Sequence, residues 1–524
     1  MDTISPEENG KRKKMFEGQS SDGKEDRISH LPENIHQYIL SFLPANHAVR
    51  TSVLSTRWKN VWRFPVIMDA ISREENGNQE KMFEGHSDEN EDRISHLPEN
   101  IHQYILSFLP AKHAVRTSVL STRWKNLWTL INNFDFHDDL PYCSKKKTLM
   151  KKIAFSEFVD KVLLVNNVSK VHRFSLKCKE CSDYDFGKWM VTLMKRKVQE
   201  LIISVEETPS YYFPICLFTK ESLRILKIHM DISVNGPNSI SLLWLKVLHL
   251  ERVTFFGTKL EEHFLLSCPV LEEFALRDCK WLDIKTVNIS VPKLQRLTIK
   301  DWCYGNISDC KIKIDAQSLI SLKAETDHSY EYSLCHLSSL VDVVLEFRPH
   351  YRSPEDKIVH RLGSILSGIH NVRDLEVNGN TVKTLSLPCF SDHRRSFSRV
   401  TNLRVVCRDY SFGKDLIDIL GDWPNIESLT FPYGFDSFTF KGSGRILGTT
   451  SQTFLSYLKR VEIKCFRGIN EEFWFVKFLI KSVRAMDKWT MKFPRDLDAW
   501  VVARLESLRK NSRKDSNCDL IYSH

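Results

Sequence analysis

No run of apolar residues in this 524-residue chain reaches the roughly 18 that a membrane span requires. The opening stretch MDTISPEENGKRK is polar, without the apolar segment of a secretory signal. The thirteen cysteines are odd in number and lack framework spacing, which suits reduced thiols rather than disulfides. These absences predict a soluble protein of the cytoplasm, the nucleus or both, with no membrane partner. Charge of one sign is lacking too: 75 basic residues face 66 acidic ones, a formal net of +9. The basic runs Lys11–Lys14 and Lys145–Lys147 are weak signals beside a solvated tail or linker. With neither an RNA-binding aromatic signature nor zinc-finger spacing, no nucleic-acid partner is expected.

Catalytic chemistry is missing as well. Cys178-Lys-Glu-Cys181 has zinc or redox spacing, but no second such pair or paired histidines complete a four-ligand set. The glycines of KGSGRILGTTS (441–451) match neither a P-loop nor a dinucleotide fingerprint. No nucleophile and base stand at a telling spacing. The chain reads as a non-catalytic protein with no metal and no cofactor.

What is present is a doubled unit. Residues 26–62 and 92–128 differ only at Asn46/Lys112 and Val61/Leu127. In LPENIHQYILSFLP, Pro32 suits a first helical turn, where its missing N–H costs nothing. Ile35, Ile39, Phe42 and Leu43 then recur on one helical face, and Pro44 closes the segment. A second short helix can carry Val49, Val53 and Leu54, and a third Trp58 and Trp62. A unit of under about 40 residues is marginal unless it docks on something. It is either a helical subdomain packed on its own chain or a partner-binding module whose surplus hydrophobes form an interface.

The run Leu-Pro-Glu-x-Ile-x-x-x-Ile-Leu-Ser-Phe-Leu-Pro, followed by Ala-Val-Arg-Thr-Ser-Val-Leu-Ser-x-Arg-Trp-Lys-x-x-Trp, resembles the F-box of plant F-box proteins over the whole unit. The resemblance implies binding to the Skp-type adaptor of a cullin-based ubiquitin ligase. Carried over residue by residue, the adaptor-facing candidates of the second copy are Leu97, Pro98, Ile101, Ile105, Leu106, Leu109, Pro110, Val115, Leu120 and Trp124. In the first copy they are Leu31, Pro32, Ile35, Ile39, Leu40, Leu43, Pro44, Val49, Leu54 and Trp58. About a third of each set should form the module's own core. The first copy leads into a stretch that turns polar after Ile71 and contains EENGNQEKMFEG, an echo of EENGKRKKMFEG at 7–18. The second leads into LWTLINNFDFHDD and a helical pattern, so it is the copy joined to a continuing fold.

From residue 171 a template recurs, apolar-x-x-apolar-x-apolar. It starts at Val171, Val198, Leu223, Leu245, Leu271, Leu294, Leu319, Leu340, Val372, Val400, Ile426, Leu458 and Met486. One such hexamer fits any half-buried strand. Thirteen, 21 to 32 residues apart, suit a leucine-rich-repeat solenoid, in which stacking closes a core no single repeat could. Long gaps imply insertions in the return segments, and an α/β domain with a parallel sheet is the competing architecture. Template positions three and five should face outward onto a concave surface: Arg173, Lys227, His249, Glu273, Arg296, Lys323, Asp342, Asp374, Glu376, Arg404, Arg460 and Lys488. Positions such as His249 and Thr298 should therefore tolerate a charge. Asp342, Asp374 and Glu376, on adjacent strands, are the candidate contact for a basic target.

Residues 458–493 read as strand, helix, strand, with Phe473, Val476, Leu479, Ile480 and Val483 on the apolar stripe. Their Phe-x-Gly turn, acidic residues and Val-Lys-x-Leu resemble the FBD domain found at the C-terminus of many plant F-box/leucine-rich-repeat proteins. Such a segment would cap the open end of the array. The expected order is a tail (1–25), F-box copy one (26–65), a polar linker (66–91), copy two (92–130), a connector (131–170), the solenoid (171–457), the FBD-like segment (458–493) and a C-terminal tail (494–524). The fold class is α/β, a leucine-rich-repeat solenoid preceded by small all-α modules. The resemblance implies the substrate receptor of a Skp-cullin-F-box ligase, holding a target protein near the ubiquitin carrier. The alternative is a scaffold or sequestering protein that uses the array without ubiquitin transfer.

Overall fold

The computed structural model describes residues 98–523 apart from 121, 139–144, 208–210, 213–220, 236–238, 258–261, 303–307, 328, 349–354, 407–411, 435–454, 483–487, 493–498 and 513–519. The N-terminal tail, the first copy of the doubled unit, the polar linker and Leu97 lie outside the described residues. The chain divides into two compact units, residues 1–109 with 114–128, and residues 110–113 with 129–524. No described helix is long and apolar enough to cross a membrane.

In the smaller unit Pro98 stands just before helix α1 (Glu99–Leu106), where its carbonyl accepts the N–H groups of Ile101 and His102. Proline suits this place because no helical N–H is lost. After α1, Leu-Pro (109–110) breaks the run, and α2 (Ala111–Arg116) starts immediately beyond it. The hydroxyls of Thr117 and Ser118 then donate to the carbonyls of Ala114 and Val115, at 2.7 and 2.6 Å. Those back-bonds satisfy the last carbonyls of α2, and the chain tightens into 3₁₀ turns at Thr117–Val119 and Trp124–Leu130.

The larger unit is built on the hexamer. Each of the thirteen hexamers begins two residues before a strand, from Arg173–Cys178 and Glu200–Val205 through Arg296–Asp301 to Lys488–Lys492. Every strand pairs in parallel with the next, template position on template position: Glu273, Arg296 and Ser321 lie side by side, as do Asp342, Asp374 and Asn402. In twelve of the thirteen repeats positions one, four and six are all buried, as at Leu294, Leu297 and Ile299. The side chains of the thirteenth are not among those described. Neighbours in the sheet follow neighbours in sequence without a reversal, so the repeats stack as a solenoid. A doubly wound α/β sheet would reverse its strand order.

Among the described residues the sheet has seventeen strands and exceeds the array at both ends. Asn133–His137 pairs ahead of Arg173–Cys178, and Leu520–Ser523 pairs beyond Lys488–Lys492. The stretches read as connector (131–170) and C-terminal tail (494–524) thus each contribute an end strand, and the sheet's boundaries lie outside 171 and 493.

The repeating unit is also longer than the hexamer. In eight repeats the N–H of position one donates to a carbonyl three residues earlier, belonging to Leu242, Cys268, Val291, Ala316, Leu337, Ile369, Phe397 or Leu455. All eight of these residues are buried. This turn aims each strand into the sheet and adds a further apolar position to the core.

The returns change character along the array. Early on, α3 (Lys145–Val165) and α4 (Asp183–Lys195) precede and follow the Arg173–Cys178 strand. In the middle the returns are strands, Ser239–Ser241, His263–Ser267, Thr286–Ser290, Lys311–Asp315 and Glu331–Cys335, which form a second parallel sheet of five. Rings of Phe255, Phe264 and Trp281, with centroids 4.4 to 5.4 Å apart, fill the core beside it. From residue 355 the returns are helical: α5 (Glu355–Gly368), α6 (Gly379–Ser386), α7 (Ser391–Ser396) and α8 (Gly413–Asp422). The long gap between Leu340 and Val372 accommodates α5.

At the C-terminal end, α9 (Asn470–Ser482) buries Phe473, Val476 and Leu479, while Ile480 and Val483 lie outside the described side chains. The Phe-x-Gly turn before it has a physical reason. Gly468 has φ +79°, and a Cβ there would meet Val501, on α10 (Ala499–Ser512), at 2.5 Å. The buried carboxylate of Glu472 accepts the N–H groups of Arg467, Gly468 and Ile469 at 3.0, 2.6 and 3.1 Å. Burial pushes this carboxyl up to about 7, against the downward pull of those three donors.

Candidate functional site

Two surfaces carry the residues singled out from the sequence. Within the second copy of the doubled unit, the ten candidates separate by exposure. Ile101, Leu106 and Trp124 are buried, the last with the His102 ring packed edge-on against it at 4.6 Å. Pro98 is exposed and Leu120 is 63% exposed, while Ile105, Leu109, Pro110 and Val115 are half-buried. Leu97 and the ten residues of the first copy are outside the described residues. The structure adds residues that sequence reasoning did not name. Val119 is 85% exposed, and Tyr104 and Phe108 are exposed with rings in edge contact at 5.0 Å. Together with Leu120 from the named candidates, these three open side chains leave apolar surface uncovered on the module. The missed signal was the pairing of Tyr104 with Phe108, four apart and so on one helical face.

The second surface is the face of the main sheet opposite the returns. Strands there are parallel and in register, so residues at one template position stand about 4.8 Å apart and pair across strands. Glu273 bonds Arg296 at 2.8 Å, Ser321 donates to Asp342 at 2.8 Å, and Glu376 pairs with Arg404 at 3.4 Å. Arg173, Arg296, Lys323, Arg404 and Arg460 are exposed, whereas Lys227, Glu273, Asp342, Asp374 and Glu376 are half-buried. Of Lys488 only the strand position is described.

His249 departs from expectation. It occupies an outward position yet is only 9% exposed. Its Nε2 is 2.7 Å from Glu273 Oε1, and the His229 ring packs edge-on at 6.5 Å. Burial pulls its pKa below the ordinary histidine value, and the hydrogen bond to Glu273 opposes that shift. Enclosed and hydrogen-bonded in this way, it should tolerate an added charge less well than the open positions of the same face.

Asp342, Asp374 and Glu376 do come together. Asp342 and Asp374 are register partners on adjacent strands, and Glu376 lies two residues along from Asp374. With Asn402, Arg404 and Thr430 they line a shallow depression of about 470 Å³. Each acid has a partner: Ser321 for Asp342, Asn402 for Asp374 and Arg404 for Glu376. Burial pushes the Glu376 carboxyl up, and Arg404 pulls it down. The depression is therefore acidic with one guanidinium built in, rather than purely acidic. Among the described residues, no group of three or more His, Cys, Asp or Glu side chains is arranged to hold a metal ion.

Comparison with known proteins identifies the domains that carry these two surfaces. Residues 28–68 and 94–136 match the model of the F-box domain, and residues 165–430 match the leucine-rich-repeat domain model of At1g61320/AtMIF1. The latter covers just over half of the chain. The chain belongs to the F-box/LRR-repeat family. The F-box/LRR-repeat protein At4g14096 of Arabidopsis thaliana is 30% identical over 346 residues, covering 65% of this chain and 73% of that protein. The F-box/LRR-repeat protein At3g58930 and the FBD-associated F-box protein At5g27750, from the same organism, are each 27% identical. Each match covers 82% of this chain, and 97% and 98% of those proteins respectively. In F-box/LRR terms the first surface is the second F-box and the other is the strand face of the repeats.

Proposed function

We propose that the protein is a non-catalytic substrate receptor of a Skp-cullin-F-box ubiquitin ligase, acting in the cytoplasm or nucleus. The second F-box holds the Skp-type adaptor, and through it a cullin, while the strand face of the repeats holds a target protein. The observation that carries this reading is the apolar set Tyr104, Phe108, Val119 and Leu120, exposed on an F-box whose own core is already closed by Ile101, Leu106 and Trp124. The family supports it, because an F-box and a repeat array on one chain suit a bridge between adaptor and target. Bringing a target lysine to a charged ubiquitin carrier accelerates transfer by effective concentration, with no chemistry required of the bridge. Residues 458–493 act as an FBD-type segment near the end of the array, with the Gly468 turn and Glu472 fixing the approach to α9. The test is purification of the full chain from cells. Adaptor and cullin should co-purify, and turnover of a bound target should depend on both. Recovery of a target without adaptor would favour a scaffold.

The depression around Asp374 and Glu376 is the proposed seat of a basic side chain of that target. Asp374→Lys with Glu376→Lys places two ammonium groups beside Arg404 and removes both carboxylates from the depression. Binding of a basic target should then fall by more than about tenfold, since like charges at an interface cost several kcal/mol. Adaptor binding should stay unchanged. The check is a pull-down that scores target and adaptor together, and undiminished target recovery would remove this depression from the binding surface.

A further inference from the structure

One feature of the array lies outside the receptor role. Cys178 is the last residue of the Arg173–Cys178 strand, and its carbonyl accepts the Glu206 N–H of the neighbouring repeat at 3.3 Å. Cys181 immediately precedes Ser182, whose hydroxyl caps α4 by accepting the Asp185 N–H at 3.1 Å. Strand end and helix start are thus both tied down, and the two-residue span Lys179-Glu180 brings the two side chains into hydrogen-bond contact. Both are thiols in this structure. Their environments differ. Cys178 is 3% exposed, whereas Cys181 is half-buried on the wall of a cavity of about 180 Å³ with Lys152, Glu180, Ser182 and Trp189.

We propose that Cys178 and Cys181 form a reversible dithiol–disulfide couple whose oxidant is a hydroperoxide. Cys181, the sulfur open to the cavity, attacks the peroxide. The O–O bond breaks, an S–O bond forms, and hydrogen peroxide leaves one water and a sulfenic acid on Cys181. The Cys178 sulfur then attacks the Cys181 sulfur. The S–O bond breaks, the S–S bond forms, and the Cys178 proton leaves with the hydroxyl group as a second water. In sum two thiols and one peroxide give one disulfide and two waters. The second step is intramolecular, so it outruns further oxidation of Cys181 and competing reactions with other thiols. Hydrogen bonding to Cys181 and burial both push the Cys178 thiol up, so Cys178 is the less reactive of the two toward peroxide. Among the described residues, the other cysteines lack this arrangement. Cys268 and Cys310 are buried, with thiols pushed up to about 12 by burial, and Cys389 and Cys465 are exposed.

The bond would fasten the Arg173–Cys178 strand to the start of α4, next to the first return of the array. The experiment treats the reduced full chain with graded hydrogen peroxide, blocks remaining thiols with N-ethylmaleimide under denaturing conditions, and digests with trypsin. Cleavage after Lys177, Lys179 and Lys188 puts the two cysteines on different peptides, so the disulfide appears as a linked pair two hydrogens lighter than its parts. The linked pair should dominate at peroxide doses where Cys389 and Cys465 remain mostly blocked by maleimide, and dithiothreitol should abolish it. Cys178→Ser should stop at the Cys181 sulfenic acid, trapped by dimedone, and Cys181→Ser should give no sulfenic acid at position 178. Absence of the linked pair at doses that oxidise Cys389 and Cys465 would overturn the proposal. Linkage of either cysteine to a different one would overturn it equally, and both readouts use the unaltered protein.

Discussion

Leu297→Asp should unfold the repeats around it, while Thr298→Asp, one residue along the same strand, should leave the array folded. Leu297 is 1% exposed at position four of its hexamer, between Phe274 and Leu322 on the flanking strands. Losing a buried leucine side chain costs about 2–5 kcal/mol. A carboxylate there has no hydrogen-bond donor, and an unpaired buried charge adds several kcal/mol more. Against a total stability of about 5–15 kcal/mol for a domain, that suffices. In a stack whose repeats depend on their neighbours the damage spreads along the array. Thr298 faces the other way, between Ala275 and Lys323, so an aspartate gains a cationic neighbour and should cost less than about 0.5 kcal/mol. Leu248→Asp should behave as Leu297→Asp does. His249→Asp should be intermediate, because it loses an enclosed hydrogen bond and sets a carboxylate against Glu273. Thermal melts followed by circular dichroism, with limited proteolysis, rank the four variants. Equal loss at Leu297 and Thr298 would refute the strand register.

That experiment probes the part of the fold most legible in the sequence. A strand buried on one face announces itself by alternation, and the hexamer added a third apolar position that few isolated strands share. The returns were less legible for reasons visible in particular residues. Lys311–Asp315, KIKID, alternates as cleanly as any hexamer and buries Ile312 and Ile314, but it lacks the leading apolar residue that marked the main strands. Asn133–His137 buries Phe134 and Phe136 on one face and, with buried Ile131 two residues ahead, repeats the same hexamer, INNFDF, but the helical stretch before Val171 set it apart from the near-regular spacing of the others. The extra turn position was hidden because it is filled by Leu, Cys, Val, Ala, Ile or Phe, a set too mixed to stand out. His249 could not have been foreseen at all. Its burial comes from His229 and Glu273, twenty and twenty-four residues away, and depends on their side chains rather than on its own repeat. On the F-box the difficulty was different. Core and interface are both apolar there, and only the fold distinguishes Leu106, fully buried, from Leu120, 63% exposed.

The exposed residues of the second F-box allow a test that separates its role from that of the first. Pro98→Ala with Leu120→Ala should cut ubiquitin transfer to a bound target by more than about tenfold, while Pro32→Ala with Leu54→Ala should leave most of it. Pro98 contributes its carbonyl to the start of α1, and alanine preserves that carbonyl. Leu120 is 63% exposed, so truncating it removes little from the core. Neither change should unfold the module, and a loss then reports on the interface. Removing two anchors of a contact costs about 2–4 kcal/mol, enough to lower adaptor occupancy by more than about tenfold at a fixed concentration. The first copy has the same residue types at every candidate position, so its intrinsic affinity for the adaptor should match. What differs is connection. Residues 129–132 lead directly from the second F-box into the first strand of the array, Asn133–His137. The first copy is separated from that strand by the polar 66–91 segment and by the whole second copy. Effective concentration falls with the length of chain between two bound partners, so a target on the repeats meets the ubiquitin carrier far more often through the second copy. The assay is ubiquitin transfer to a bound target at matched adaptor concentration, with each pair of substitutions made separately and adaptor binding measured alongside. Equal losses would mean that both copies deliver, and a loss confined to the Pro32 and Leu54 variant would reverse the assignment.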